Sequence, residues 1–377
     1  MSGLTKFKPK FPVGHQRLIY NNDVTPNNYI KCDGSILSQS SYPALFDAIG
    51  LIADAAAGVY TFTTVDADTY YSLLSAYDYG LSVGPAYLAG AAAGVLKTST
   101  NGINWTARTS GTTSDINALT YGNNTYLLGA AGGILNSSTN AINWTARTSG
   151  TASPIKALTY GNSLYVYAGN GGALGTSTDG INWTSRTSGT ASAINALAYG
   201  NSTYAYAGNG GVISTSTNAI NWTARTSGTA SSLTELLYAN ALFIYGGAGG
   251  VLATSTNAIN WTARTSGTVS QIGAIIYANG LYFLGTDNGG LSSSTNAINW
   301  TARTSGTASN IFVLSYGNST YGTDILAANI LLYGGTSQLA VGRPYTYDYT
   351  TQFALPTTTG AFTVNSSYPY STYIKGS

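Results

Sequence analysis

Short segments in which apolar and aromatic residues alternate with small polar residues recur along most of the chain. In one stretch, residues 116–121, 125–130, 133–138 and 142–147 are four such segments, each rich in strand-forming residues. Gly122, Asn123 and Asn124 separate the first two, and Gly and Asn accept the positive φ that tight hairpins require. The pattern predicts four antiparallel strands in about 39 residues, which is typical of one propeller blade.

A fixed period runs through this pattern. The six tryptophans are 39 residues apart, at Trp105, Trp144, Trp183, Trp222, Trp261 and Trp300. The first lies in STNGINWTARTSGT and the sixth in STNAINWTARTSGT, and a second motif, YGNNTY at Tyr121, recurs at the same interval. Repeats of about 40 residues indicate a propeller or a solenoid.

The repeat predicts seven blades. Six carry the Trp motif, the first is less regular with its inner strand at 70–77, and Leu339 stands where a seventh Trp would fall. We expect residues 60–65 to supply the fourth strand of the last blade and so to close the ring. Seven units of 39 residues occupy 273 of the 377 residues and leave 104. That remainder is enough for one small domain divided between the two ends.

The two ends carry motifs that belong together. The motifs are PVG at Pro12, YIKCDGS at Tyr29, YPALF at Tyr42, IG at Ile49, FALP at Phe353, Gly360 and YIK at Tyr373. In this order they resemble the phage tail collar family, over about one fifth of the chain. The resemblance implies a domain that docks on a virion and a homo-oligomer, such as a trimer.

The repeats interrupt this collar-like motif, so its two halves have to meet. A propeller brings its first and last strands together, whereas a solenoid with two coils per repeat would separate its ends by roughly 65 Å. We therefore predict an all-β dominated chain, with a seven-bladed β-propeller inserted into a small discontinuous α+β tail-collar-like domain. The expected boundaries are 1–59 with 351–377 for the collar-like domain and 60–350 for the propeller.

The segment that leads to each Trp has a second resemblance. Ser177, Asp179, Gly180 and Trp183 resemble the Asp-box of sialidase-like propellers. Asn replaces the Asp in the other five copies, and its short side chain can still bond its own backbone in a turn. The Asp-box indicates a propeller and does not by itself indicate a sialidase.

The repeated Trp and Arg residues are expected to be structural. An Ile lies two positions before each Trp, which on a strand would place both side chains on one buried face. The Arg residues after the Trp, such as Arg108 and Arg147, recur once per blade and cannot converge on one carboxylate. We expect them to make inter-blade hydrogen bonds or to form a solvated rim.

Composition excludes several classes of function. Only 7% of the residues are charged and the net charge is +2, without the basic patch that nucleic acid would require. One His (His15), one Cys (Cys32) and one Glu (Glu235) provide neither a metal site nor a Cys and His pair. We expect no catalytic residues, metal or cofactor, no membrane insertion, and synthesis in the host cytoplasm because Met1 to Lys10 lacks the apolar core of a secretion signal.

Departures from the repeat are the candidates for ligand recognition, because identical blades offer only identical weak sites. Lys97 and Asp115 stand where the other copies have uncharged residues, and Lys156 and Glu235 are charges on innermost strands. Neutral drift in a duplicated array is the alternative explanation of these four residues.

Together these features predict a bacteriophage virion protein of the tail tip or tail fibre. Its expected partners are other virion tail proteins and a host surface glycan or receptor, since a Tyr-rich surface of low charge suits neutral sugars. An architectural spacer or decoration protein that contacts only virion proteins is the alternative. A sialidase-like hydrolase is the third option, and it is disfavoured because glycoside hydrolysis needs two placed carboxyl groups.

Overall fold

A computed structural model describes residues 16–20, 29–31, 36–38, 61–75, 87–100, 102, 104–278, 280–317, 330–343, 352–354 and 370–375. Several sequence motifs lie outside the described residues: PVG with His15, CDGS with Cys32, the YPALF and IG motifs, Pro356 and Gly360. In the described part, strands dominate and helical structure is limited to short 3-10 turns.

Seven four-stranded antiparallel sheets form the repeat region. The first three blades comprise β5–β8 (Tyr70–Ser75, Tyr87–Ala91, Leu96–Ser99, Thr106–Arg108), β9–β12 (Ile116–Gly122, Thr125–Ala130, Leu135–Ser138, Thr145–Arg147) and β13–β16 (Ile155–Gly161, Leu164–Gly169, Leu174–Ser177, Thr184–Ser185). The next three comprise β17–β20 (Ile194–Gly200, Thr203–Gly208, Ile213–Ser216, Thr223–Arg225), β21–β24 (Leu233–Ala239, Leu242–Gly247, Val251–Ser255, Thr262–Thr265) and β25–β28 (Ile272–Ala278, Leu281–Thr286, Leu291–Ser294, Thr301–Arg303).

The seventh blade closes the ring with a strand from the start of the repeat region. It comprises β29 (Ile311–Gly317), β30 (Ile330–Gly335), β31 (Gln338–Arg343) and β4 (Thr61–Asp66). β4 pairs with β31 so that Thr61 faces Arg343 and Thr64 faces Ala340, which confirms the predicted closure. The inner strands contact each other in the cycle β5, β9, β13, β17, β21, β25, β29 and back to β5. The chain therefore forms a seven-bladed β-propeller.

The chain divides into two compact units, Met1–Ala56 with Tyr345–Ser377, and Ala57–Pro344, which contains the propeller. In the first unit, strands from the two ends of the chain pair with each other. β1 (Gln16–Tyr20) and β2 (Tyr29–Lys31) flank β33 (Tyr370–Lys375), and β3 (Ile36–Ser38) pairs with β32 (Gln352–Ala354). All three pairings are antiparallel.

Tight contacts between neighbouring blades bury the aromatic residues of the repeat. Tyr165 donates its hydroxyl hydrogen bond to Gly122 O of the preceding blade, and Tyr204 donates to Gly161 O. A Cβ at Gly161 would lie 2.2 Å from the ring of Tyr199, so Gly lets that ring approach the neighbouring backbone. Each blade thus fixes the position of the next.

The Trp motif folds differently from the prediction. Ile142 and Trp144 lie in the turn before β12 rather than on a strand, and Ile142 is 42% exposed. Its equivalents Ile181, Ile220, Ile259 and Ile298 are exposed to a similar degree. The expectation that each Ile shares a buried face with its Trp is therefore wrong. The Trp side chains are half-buried and pack against the blade cores, as Trp222 and Trp261 do.

The repeated Arg residues bond within their own blades. Arg147 Nε donates to Ser137 Oγ at 2.7 Å, which joins the fourth strand to the third. The same bond recurs at Arg108, Arg186, Arg225, Arg264 and Arg303, with lengths of 2.8–2.9 Å. The predicted inter-blade role of these Arg Nε groups is thus replaced by a link between strands of the same blade.

The described part of the chain contains no helix that is long and apolar enough to cross a bilayer.

Candidate functional site at the bulge ring

Every inner strand has a β-bulge at its second residue. In β9, for example, Ile116 pairs with Ala130 and Ala118 with Gly129, so Asn117 has no partner across the hairpin. The same register shift occurs in the other six inner strands. Bulges redirect side chains and are frequent beside functional sites. We call these seven residues the bulge ring: Tyr71, Asn117, Lys156, Asn195, Thr234, Gly273 and Phe312.

Polar members of the bulge ring connect neighbouring blades. Asn117 Nδ2 donates to Ile155 O at 3.0 Å, and Asn195 Nδ2 donates to Leu233 O at 2.8 Å. Thr234 Oγ1 makes the corresponding bond to Ile272 O at 2.5 Å. The structural role of this position is therefore to bond the first residue of the next inner strand.

Two members of the bulge ring are aromatic. In the first blade Ser72 Oγ, next to Tyr71, donates the bond to Ile116 O of the second blade, at 3.3 Å. Tyr71 of the first blade and Phe312 of the seventh stack on each other, with ring centroids 6.0 Å apart and planes inclined by 28°. Both side chains remain partly exposed. Burial, and then the nearby charge of Asp115, raise the pKa of the Tyr71 hydroxyl. The ring is thus asymmetric, with an aromatic pair where its two ends join.

Lys97 and Asp115, predicted as recognition residues, both have structural partners. Lys97 Nζ forms a salt bridge with Asp68 Oδ2 at 2.6 Å and lies 5.9 Å from the centroid of the Tyr70 ring. Asp115 Oδ1 accepts a hydrogen bond from Ala93 N at 2.9 Å. Asn310 accepts the same bond from Asn288 N in a later blade, so the charge of Asp115 is not needed for it.

Lys156 and Glu235 lie on different inner strands and form no salt bridge with each other. Lys156 is an exposed member of the bulge ring in the third blade. Glu235 is the third residue of β21, where four other inner strands have a buried Ala. Its side chain is partly accessible, and Leu236 N donates to its Oε1 at 3.1 Å. Burial raises the pKa of Glu235 to about 8, against a smaller lowering by that backbone bond. The four predicted residues therefore do not form one cluster.

A further carboxyl group near the bulge ring lacks a donor. In the fourth blade, Asn209 Oδ1 accepts from Asn195 Nδ2 at 2.9 Å. The equivalent residues of the sixth blade are Asp287 and Gly273, and Gly has no side chain to donate. Asp287 Oδ1 is accordingly buried without a hydrogen-bond partner, and burial raises the pKa of Asp287.

The bulge ring lies at the end of the propeller that carries the 3-10 turns. These turns are Ala92–Gly94, Ala131–Gly133, Asn170–Gly172, Asn209–Gly211, Ala248–Gly250 and Asp287–Gly289. At the same end, a shallow groove of about 630 Å³ is lined by Gly94, Arg108 and the 109–114 loop. No group of three or more His, Cys, Asp or Glu side chains that could hold a metal occurs among the described residues.

In the second to sixth blades, the turn before the fourth strand is held by an Asp or Asn side chain. Asp179 Oδ1 accepts from the backbone N of Ile181 and Asn182, both at 2.8 Å. Asn140 Oδ1 accepts the equivalent two bonds at 2.9 Å. The Asn182 and Ile181 bonds hold the pKa of Asp179 well below its usual value. The turn geometry is therefore the same with either residue.

Asp179→Asn is expected to lower the melting temperature slightly at neutral pH, and the difference from wild type is expected to shrink on acidification. A lowered pKa in the folded state stabilises the fold above the ordinary carboxyl pKa and loses that effect as pH falls through the folded value. Thermal unfolding of both proteins at neutral and at acidic pH measures the difference between their melting temperatures. The reverse change in another blade, Asn218→Asp, should shift the melting temperature in the opposite direction. Equal shifts at both pH values would contradict the prediction.

Comparisons with known proteins agree with the fold and with three of the end motifs, YIKCDGS, YPALF and IG. The described architecture defines the class, a seven-bladed β-propeller protein. A family model described as the phage tail collar domain matches residues 17–52, and the DUF6242 beta propeller domain matches residues 115–235 and 149–271. The collar match suggests a phage tail protein. No curated protein matches the chain.

Solved propeller structures are similar in fold alone. The streptogramin B lyase structure has a TM-score of 0.64 at 12% identity, covering 75% of this chain and 97% of that chain. YCF48 bound to D1 peptide has a TM-score of 0.60 at 16% identity, covering 77% and 95%. YCF48 from Cyanidioschyzon merolae has a TM-score of 0.57 at 13% identity, covering 76% and 99%.

Proposed function

We propose that the chain is a virion protein of a bacteriophage tail tip or tail fibre and that its propeller attaches the particle to a glycan on the host surface. The observation that carries the proposal is the asymmetric bulge ring. In a repeat this uniform, a specific ligand needs a place where the blades differ. Tyr71, Lys156, Gly273 and Phe312 all depart from the Asn or Thr residues that bond the next blade.

The collar match supports the location on the virion. It covers residues 17–52, in the unit where strands from both chain ends pair. We propose that this collar-like unit docks on other tail proteins as a homo-oligomer, such as a trimer, while the propeller is presented to the host. Several copies per particle would then multiply weak contacts into firm attachment.

Two further elements belong to this proposal. We assign the turns at Asp179 and its Asn equivalents to the Asp-box class, which many propellers use to hold their outer strands. We assign no catalytic role to the propeller, because glycoside hydrolysis needs two placed carboxyl groups, and burial rather than a second carboxyl raises the pKa of Glu235.

Purified full-length protein is expected to bind host cells and to slow adsorption of the phage that encodes it. The reason is that free protein would occupy the same surface glycans as the particle. Flow cytometry with labelled protein and an adsorption time course measure the two effects. Cells whose surface sugars have been oxidised by periodate, which cleaves the C–C bonds between vicinal hydroxyls, serve as the control and should lose binding.

Two outcomes would overturn the proposal. The purified protein could fail to bind host cells, and phage adsorption could remain normal in its presence at high concentration. These two results together would favour the architectural spacer or decoration protein. Release of reducing sugar from host polysaccharide by wild type, lost in Glu235→Gln, would favour a hydrolase.

A further inference from the structure

The aromatic pair in the bulge ring is the strongest departure from the repeat outside the turns. At five of the seven positions of the bulge ring the residue is Asn, Lys, Thr or Gly, and only Tyr71 and Phe312 have aromatic side chains. They come from the first and seventh blades, which meet where the propeller closes. Both remain partly exposed, whereas most aromatic residues of the second strands, such as Tyr165 and Phe283, are fully buried.

Partly exposed aromatic side chains that are held in place are suited to contact the apolar face of a ligand. Stacking on each other fixes the orientation of both rings, so little side-chain entropy is lost on binding. The C–H groups of a pyranose present such an apolar face, while its hydroxyls need hydrogen-bond acceptors and donors at the edge.

Carboxyl groups flank the pair on both sides. Asp115 is close enough to Tyr71 to raise the pKa of its hydroxyl. On the other side, Gly273 adjoins Phe312, since a Cβ at Gly273 would lie 3.3 Å from Phe312 Cα, and Asp287 stands beside this Gly in the repeat. Among the described residues, Lys97 is the positively charged residue closest to Tyr71 in sequence, and it forms a salt bridge with Asp68.

The geometry points to a sugar-binding subsite at Tyr71 and Phe312 that takes an uncharged pyranose and discriminates against acidic sugars. The aromatic pair supplies the platform, and the carboxyl of Asp115, whose Oδ1 also accepts from Ala93 N, accepts hydrogen bonds from the sugar hydroxyls. Asp287, whose Oδ1 is buried, contributes its negative charge. The same carboxylates repel a uronate or another anionic sugar, because neither forms a salt bridge among the described residues. The cation of the bulge ring, Lys156, lies in the third blade, two ring positions away from Tyr71. This inference rests on the proposed glycan attachment and names its ligand class.

The test compares two variants of the full chain. Tyr71→Asn/Phe312→Asn replaces both rings with the residue that bonds the next blade at Asn117 and Asn195, so the propeller is expected to fold. Thr234→Asn makes the same replacement at a ring position outside the subsite and is the matched control. Saturation-transfer difference NMR measures binding of the methyl pyranosides of glucose, galactose, mannose and glucuronic acid at millimolar concentration.

Wild type and Thr234→Asn are expected to transfer saturation to at least one neutral pyranoside and severalfold less to the glucuronide. The double variant is expected to lose the transfer to the neutral sugar, with an unchanged circular dichroism spectrum and melting temperature close to that of Thr234→Asn. Retained transfer in the double variant would overturn the inference, as would stronger binding of the glucuronide. Absence of transfer for all neutral pyranosides would overturn it too, even if the protein binds cells.

The two proposals fail separately. If wild type binds host cells but transfers saturation to no neutral pyranoside, or if the double variant binds cells as well as wild type does, the subsite inference fails and the attachment proposal stands. Sugar binding at the aromatic pair without any binding to host cells would instead end the attachment proposal and leave the subsite standing.

Discussion

Glu235→Gln is expected to stabilise the protein at neutral and alkaline pH and to leave its stability unchanged below the ordinary carboxyl pKa of 4.5. In the folded state burial raises the pKa of Glu235 to about 8. Between these two values the folded chain keeps a proton that the unfolded chain releases. Stability therefore falls as pH rises through this range and then levels off, by an upper limit of about 5 kcal/mol.

Glutamine removes this pH dependence and keeps the shape of the protonated side chain. Its carbonyl oxygen can still accept from Leu236 N, as Oε1 does in wild type. Thermal unfolding across the pH range measures the gap between the two proteins, which should widen steadily towards pH 8. Glu235→Ala, which copies Ala196 and Ala274 of the neighbouring blades, is the control and should also lose the pH dependence. Parallel curves for wild type and Glu235→Gln would mean that solvent reaches the partly accessible Glu235 side chain and lets it ionise normally.

Gly211→Ala is expected to lower the free energy of unfolding by more than about 3 kcal/mol, because it combines strain with a backbone clash. Gly211 has φ +72°, and a Cβ there would lie 1.9 Å from Thr229 O. The carbonyl belongs to the loop that leads into the next blade, so relief of the clash requires that the blades separate.

The adjacent substitution Gly210→Ala provides the control. Gly210 also has a positive φ, +70°, but a Cβ there meets nothing within 4 Å. Ala93 and Asn288 occupy the equivalent position in other blades with φ 53° and 60°. We expect a cost of about 1 kcal/mol from the left-handed conformation alone. Denaturant unfolding of both variants separates the two contributions, and equal losses would show that the clash with Thr229 is relieved without cost.

The blade number and the ring closure could be predicted because they depend on periodicity. A spacing of 39 residues between Trp105 and Trp144, repeated to Trp300, leaves few architectures for strands of this length. The position of β4 followed from the same count, since the last unit lacked a fourth strand. The Trp motif was predicted as a strand because alternation of Ile and Trp is also the strand pattern. The Asn140 bonds to Ile142 N and Asn143 N instead make this segment a turn.

The candidate site was only partly predictable. Lys156 was selected as a departure from the repeat, and it is a member of the bulge ring, but Phe312 stands in register with it and was missed because only charge was considered. Tyr71 was harder to find. Tyr70 lies 46 residues before Ile116, so a fixed interval of 39 aligns the wrong residues of the first blade. The additional residues lie between β5 and β6.

By itself the sequence determined the repeat, the strand-forming segments and the turns, because these depend on local side-chain chemistry and on spacing. It also determined which residues break the repeat. Tertiary structure alone decided what those residues do. The bulge at the second residue of each inner strand arises from pairing between strands, and the contact of Tyr71 with Phe312 exists only because ring closure joins residues 241 positions apart.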